Sequence, residues 1–245
     1  WLKIEDVWGI GRRLSKRLKA KGCLTAYHFT QLPDAWVKTN FSVVESRLKR
    51  DLDGLPTLKL DEYDTIKKAI ATTRSFETLI DSYEEMRERI STFATLCAEK
   101  LRAQGSSCHA VYVFVRSNPF MPDLPQYRNG TLLGMPFATQ SSLSISKYAL
   151  KGLEQIYKSG IQYKKAGVIV GDIVSEESRQ LSLFHTQDIF KTKNIMNAMD
   201  DINRKMGRDK VRLAIQGFDR KWRLKQEKLS PCYTTRFDDV LEVKI

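Results

Sequence analysis

Several patterns that would point directly to a function are missing from this sequence of 245 residues. No stretch approaches the ~20 apolar residues that a membrane-spanning helix needs. The cysteines contain no Cys-x-x-Cys pair and the three histidines are dispersed, so neither set has the spacing of zinc ligands. These absences argue against a membrane protein, a disulfide scaffold and a zinc protein, and they favour reduced thiols in a cytoplasmic protein. The cysteines are Cys23, Cys97, Cys108 and Cys232.

Clustered carboxylates are also missing. Adjacent acidic pairs such as Glu84-Glu85 and Asp200-Asp201 occur, but they lie at predicted helix starts or in polar segments, where capping or solvation explains them. A metal-dependent nuclease or polymerase needs carboxylates that hold its metal ions. We therefore expect no catalytic residue, no cofactor and no metal site in this chain. The sequence begins at Trp1 in the middle of a pattern, which is typical of a fragment of a longer protein.

Positive charge is in excess, with 41 lysines and arginines against 29 acidic residues and a net charge of +12. The two ends of the chain are more basic than its middle. Such a balance favours a polyanionic partner, above all nucleic acid, because each neutralised phosphate releases counterions. A basic protein that is merely soluble would show the same balance.

Residues 1–62 predict a small all-α domain that carries a helix-hairpin-helix. Its hairpin is Gly9-Ile10-Gly11, where glycine lets backbone N–H groups approach a phosphate, and the helix that follows presents its N-terminus to the same anion. Arg12, Arg13 and Lys16 would then neutralise further phosphates. A plain glycine turn before a solvated basic helix is the other interpretation.

Residues 63–175 predict a second domain with the element order β-α-β-β-α-β, a four-stranded sheet with two helices on one face. The first helix is indicated by the Ser82–Glu85 spacing of a capping box and by apolar residues at helical spacing behind it. The central strand, near residues 107–116, alternates valines with Tyr112 and Phe114 and is apolar on both faces. The chain as a whole is predicted to be an α+β multidomain protein.

Residues 176–190 predict a polar linker that contains one apolar pentamer. A first glutamine and a final Leu-Phe suit docking into a shallow apolar pocket, and the pattern resembles the sliding-clamp-binding motif of bacterial polymerases and repair proteins. Packing of the pentamer on a neighbouring domain, as a short strand, is the other interpretation. The pentamer consists of Gln180, Leu181, Ser182, Leu183 and Phe184.

Residues 191–245 predict a small α+β extension. Ile195, Met199, Ile202 and Met206 form a helical stripe, and Val211, Leu213 and Ile215 alternate with polar or small residues as in a strand. No partner of this segment follows from its residues.

The first three of these segments, taken in order, resemble parts of the C-terminal half of the Y-family translesion DNA polymerases of the UmuC type. These parts are the thumb, the little finger and the clamp-binding segment. The stretches at residues 73–76, 163–168 and 229–236 carry the resemblance further, and it covers essentially the whole chain. The palm and fingers of that family, where Mg²⁺ would bind, precede the thumb and have no counterpart in this sequence. The resemblance therefore implies that this chain by itself does not polymerise DNA.

The resemblance implies a role in synthesis across damaged DNA during the SOS response, in which the little finger holds the template–primer by its backbone. It also implies three protein partners: the sliding clamp, UmuD′ and the RecA filament. A non-enzymatic regulator of the clamp or the recombinase, with incidental DNA affinity, stays open as the alternative. The DNA-binding residues implied in the little finger are Thr73, Arg74, Ser75, Lys164 and Lys165, with Arg116 as a looser candidate.

Overall fold

A computed structural model describes residues 2–58, 66–176, 189–207, 209–218 and 229–241 of the chain. The chain divides into two compact units, Trp1–Thr65 and Ile66–Ile245. Within the described ranges, no helix is both long enough and apolar enough to cross a membrane.

The first unit is helical. A 3-10 turn, Ile4–Asp6, is followed by α1 (Arg12–Lys19), α2 (Ala26–Thr30), α3 (Asp34–Asn40) and α4 (Val43–Leu52). The sequence predicts a helix after Gly11 and two more at residues 26–31 and 43–52, which correspond to α1, α2 and α4. Helix α3 was not foreseen, because its single buried residue, Val37, gives no apolar period. A small core of buried side chains holds these elements together, and it includes Ile4, Leu18 and Phe29.

The second unit has the predicted order of strands and helices. Its elements are β1 (Ile70–Ile80), α5 (Tyr83–Ala103), β2 (Ser106–Ser117), β3 (Arg128–Thr139), α6 (Ser142–Ile156) and β4 (Tyr163–Ser175). The strands form one antiparallel sheet in the spatial order β1-β4-β2-β3, so the first and last strands of the sequence are neighbours. The prediction of an α+β fold is confirmed.

One face of the sheet is covered by α5 and α6. Val111, Val113 and Val115 of β2 are fully buried there, together with the apolar stripe of α5 that includes Ile90 and Phe93. The two helices also contact each other through the buried Ser91 and Ser146 hydroxyls, which lie 2.9 Å apart. The side chains that alternate with the buried valines point to the opposite face of the sheet, because strand residues alternate in direction.

Helix α6 approaches the sheet most closely at Gly152, which is buried. A Cβ atom at this position would lie 2.8 Å from Leu133 Cδ1 and 3.2 Å from both Thr131 Cγ2 and Val113 Cγ2. These distances are shorter than ordinary carbon–carbon contacts. Glycine therefore sets how near the helix can come to β2 and β3.

The helix α7 (Ile189–Met206) belongs to the second unit and is joined to α5 by an ion pair. Arg102 Nε and Nη2 donate to the two carboxylate oxygens of Asp200 at 2.6 and 2.7 Å. Arg102 Nη1 also donates to the Gln140 carbonyl at 2.8 Å and to Ser142 Oγ at 3.1 Å. The Arg102 side chain is only 5% exposed, so all of these contacts are shielded from water.

The prediction of an apolar stripe on α7 is wrong for three of its four residues, which are not buried. Ile195, Ile202 and Met206 are exposed, and the buried side chains are Met196 and Met199. The ion pair of Asp200 with Arg102 explains the difference, because it turns the helix so that Met196, Met199 and Asp200 face the unit together.

The predicted strand at residues 211–216 is also wrong. Val211 exchanges two hydrogen bonds of 2.8 Å with the side-chain amide of Asn203, and the Leu213 N–H donates to Gln216 Oε1 at 2.8 Å. The side chains of Asn203 and Gln216 thus bind backbone groups that a neighbouring strand would bind in a sheet. A 3-10 turn, Ala214–Gln216, follows. The described part of the extension thus contains α7 and 3-10 turns but no strand.

Candidate nucleic-acid interface

The face of the sheet opposite α5 and α6 carries a row of basic side chains. The register pairs Ser75 of β1 with Lys165 of β4, Lys165 with Arg116 of β2, and Arg116 with Arg128 of β3. One row across four strands therefore holds one hydroxyl and three cations, and we call Lys165, Arg116 and Arg128 the cation row. Neighbouring strands are ~4.8 Å apart, so the cation row extends over about 10 Å.

The cation row has no carboxylate partner among the described residues. Arg128 is exposed, and Arg116 and Lys165 are half-buried. Like charges directly opposite each other on a sheet are destabilising. A bound polyanion would relieve this repulsion, so the arrangement is suited to phosphate groups.

Thr73 lies one row further along the same face. It is exposed and pairs with Gly167, which in turn pairs with Phe114. Ser75 and Thr73 therefore join Lys165 and Arg116 on one surface, so four of the six predicted little-finger residues lie together.

Arg74 and Lys164 do not lie in the cation row. Arg74 pairs with the buried Ala166, and its position alternates with those of Thr73 and Ser75. Lys164 Nζ donates to the Glu77 carbonyl at 3.1 Å. Their part in DNA binding stays a prediction, but they are not placed with the cation row.

Arg128 was missed by the sequence analysis. It is the first residue of an irregular strand that contains two glycines and a proline, so nothing in its local sequence marks it. The pairing of β2 with β3 would have revealed it. If the loop at residues 118–127 connects the two strands, Arg128 lies opposite Arg116.

The segment predicted as a hairpin, Gly9-Ile10-Gly11, contains two glycines with different backbone conformations. Gly9 has φ +93°, a conformation that favours glycine, and Ile10 between them is buried. Gly11 has an ordinary φ of −78°, and a Cβ there would meet no heavy atom within 4 Å. Internal packing does not require glycine at position 11, whereas close approach of an external group would.

All five cations after the predicted hairpin are exposed. Two of them also bind other parts of the unit: Arg17 donates to the Asn40 carbonyl at 2.7 Å, and Lys19 forms an ion pair with Glu5. The sequence prediction named the other three, Arg12, Arg13 and Lys16, which have no ion pair among the described residues. The pentamer at residues 180–184 lies outside the described residues, and so its predicted docking stays a prediction.

Comparisons with known proteins show which family this chain resembles. The profile of the impB/mucB/samB family C-terminal domain matches residues 67–183, which include the whole sheet. UmuC of Salmonella typhimurium is 38% identical over 99% of this chain and 58% of its own length. The chain is a UmuC-like C-terminal portion. SamB of Salmonella typhimurium is 34% identical over 99% of the chain and 57% of its own length.

This UmuC-like portion spans little more than half the length of those curated relatives. A more distant relative, DNA polymerase IV of Streptococcus mutans, is 25% identical over 78% of the chain and 49% of its own length. Residues 193–243, which include most of α7, match a domain of unknown function, DUF4113.

Proposed function

We propose that this chain is the DNA-holding and clamp-tethering portion of an error-prone translesion DNA polymerase. The cation row on an open sheet face is the observation that carries the DNA-holding part. Its three cations come from three strands of a rigid sheet and face the same side, so they can contact successive phosphates without reading the sequence of bases.

The hairpin and α1 supply a second proposed contact with the DNA backbone. Gly11 leaves the first amides of α1 open to an anion, and no side chain caps them. Arg12, Arg13 and Lys16 add charge beside those amides. The predicted helix-hairpin-helix would bind a phosphate through these amides and side chains.

Removal of the cation row should weaken binding to a primer–template duplex and reduce its salt dependence. We expect the Arg116→Ala/Arg128→Ala/Lys165→Ala variant to lower the slope of log K against log salt by about 2 to 3, because each lost phosphate contact contributes ~0.9. Fluorescence anisotropy with labelled DNA at several salt concentrations measures this slope.

The matched control is Lys147→Ala/Lys151→Ala/Lys158→Ala. These lysines are exposed on or next to α6, on the covered side of the sheet, and the variant loses the same net charge. An equal loss of slope in both variants would mean that net charge, and not the cation row, governs DNA binding.

Tethering to the sliding clamp is proposed for the pentamer. Replacement of Gln180, Leu183 and Phe184 by alanine should abolish binding to a purified bacterial clamp, because the amide and both apolar side chains that would fill the pocket are removed. Surface plasmon resonance on the immobilised clamp, with a known clamp-binding peptide as a positive reference, measures the loss.

The cation-row variant and the pentamer variant serve as controls for each other. The cation-row variant should bind the clamp like the unmodified chain, and the pentamer variant should bind DNA like the unmodified chain. Failure of the unmodified chain to bind an active clamp would contradict the tether and leave the DNA-holding proposal standing. UmuD′ and RecA are proposed as further partners on family resemblance only.

A further inference from the structure

Two aromatic side chains lie on the open sheet face beside the cation row. Tyr112 and Phe114 alternate with the buried valines of β2 and are half-exposed. Their ring centroids are 6.1 Å apart, and the ring planes differ by only 27°. Neither ring belongs to the buried core, so core packing does not explain why aromatic residues occupy these two positions.

Glycines on the neighbouring strands make room for both rings. A Cβ at Gly167 would lie 2.7 Å from Phe114 Cε1, and a Cβ at Gly130 would lie 2.7 Å from Tyr112 Cζ. Each ring therefore occupies the space above a glycine of a neighbouring strand. The rings form part of the lining of a shallow hollow of about 420 Å³, whose other lining residues include Arg116, Arg128 and Lys165.

The chemistry of this hollow matches an unpaired nucleotide. Aromatic side chains exposed on a sheet face offer a surface on which a base can stack, and cations nearby hold the phosphates of the same strand. Arg116 is two residues from Phe114 on β2, which is about 6.7 Å along the strand. In a base-paired duplex, the faces of the bases are covered by their neighbours and are not available to such rings.

We propose that Tyr112 and Phe114 form a stacking site for unpaired bases of single-stranded DNA, with the cation row binding the adjoining phosphates. The inference rests on the proposed DNA-holding role of this face, and it names the form of DNA that the face binds. Single-stranded template near a primer terminus would be such a ligand.

The test compares two fluorescein-labelled oligonucleotides with the same number of phosphates: a thymidine 16-mer and an abasic 16-mer. The full chain should bind the thymidine oligonucleotide about tenfold more tightly, because stacking contributes only when bases are present. In the Tyr112→Leu/Phe114→Leu variant, the affinity for the thymidine oligonucleotide should fall about tenfold, while the affinity for the abasic one stays the same.

Phe120→Leu is the matched control. Phe120 is an aromatic residue that is 90% exposed in the loop between β2 and β3, outside the open face, and its replacement should change neither affinity. The abasic oligonucleotide reports whether the double variant is still folded, since it requires an intact cation row.

The possible results separate the two proposals. Equal affinity for both oligonucleotides, unchanged in the double variant, would overturn the stacking site and leave the backbone-holding role intact. Absence of binding to both oligonucleotides and to the primer–template duplex would overturn both. An equal loss in the Phe120→Leu variant would show that stacking is not confined to the open face.

Discussion

Replacement of Arg102 by alanine should lower the free energy of unfolding of the second unit by about 3 to 5 kcal/mol. The guanidinium is 5% exposed and Asp200 is 17% exposed, and loss of one partner of a buried ion pair leaves the other charge uncompensated. The Gln140 carbonyl also loses its 2.8 Å hydrogen bond with Arg102. Thermal and urea denaturation of the full chain measure the change.

Arg87→Ala is the matched control for this prediction. Arg87 forms an ion pair with Glu84 at 2.6 Å, but its side chain is 34% exposed and that of Glu84 is 72% exposed. Exposed pairs of this kind contribute at most about 1 kcal/mol. If Arg102→Ala were no more destabilising than Arg87→Ala, α7 would not depend on the Arg102–Asp200 pair for its place on the unit. In the Arg102→Ala variant, hydrogen exchange should show that the amides of α7 lose protection first.

Replacement of Gly152 by valine should destabilise the second unit by about 3 kcal/mol. The first added carbon already lies 2.8 Å from Leu133 Cδ1 and 3.2 Å from Val113 Cγ2, and the two methyl groups add further overlap between α6 and the sheet. Valine is a better helix former than glycine, but by less than about 1 kcal/mol, so the overlap dominates. Alanine at the same position should have a smaller effect, because its gain in helix propensity of ~1 kcal/mol opposes the single close contact.

The same substitution at Gly134 is the control, measured in the same denaturation experiment. Gly134 is exposed on β3, and a Cβ there would meet no heavy atom within 4 Å. Valine is favoured in strands, so Gly134→Val should leave the stability unchanged or raise it slightly. A Gly152→Val variant as stable as Gly134→Val would show that α6 can move away from the sheet at little cost.

The sequence predicted α5 and the central strand β2 well, because hydrophobic periodicity marks the side of each that faces the core. The period of α5 placed Met86, Ile90 and Phe93 in the core, and all three are fully buried. The same method was wrong for α7, because a long-range ion pair from Arg102 to Asp200 decides which side of that helix is buried. Hydrophobic periodicity contains no information about a polar contact between residues 98 positions apart.

The candidate interface was predictable only in part, for a related reason. Alternation along one strand shows that Thr73 and Ser75 share a face, but the position of Arg128 opposite Arg116 depends on the register between two strands. That register depends on the length of the loop at residues 118–127, and the weak strand signal of β3 concealed it. The predicted cations of α1, Arg12, Arg13 and Lys16, needed no register, because they are neighbours on one short helix.

The C-terminal segment docks on the side of the second unit away from the open sheet face. Arg102 of α5 binds Asp200, and Gln216 donates to Thr92 of the same helix at 3.5 Å. The sheet thus separates two surfaces of the same unit, one covered by helices and the C-terminal segment and the other left for a ligand. Occupation of one surface does not sterically exclude occupation of the other. If the open face holds DNA as proposed, the covered side stays accessible to a second ligand, and the two binding free energies add when neither ligand alters the sheet.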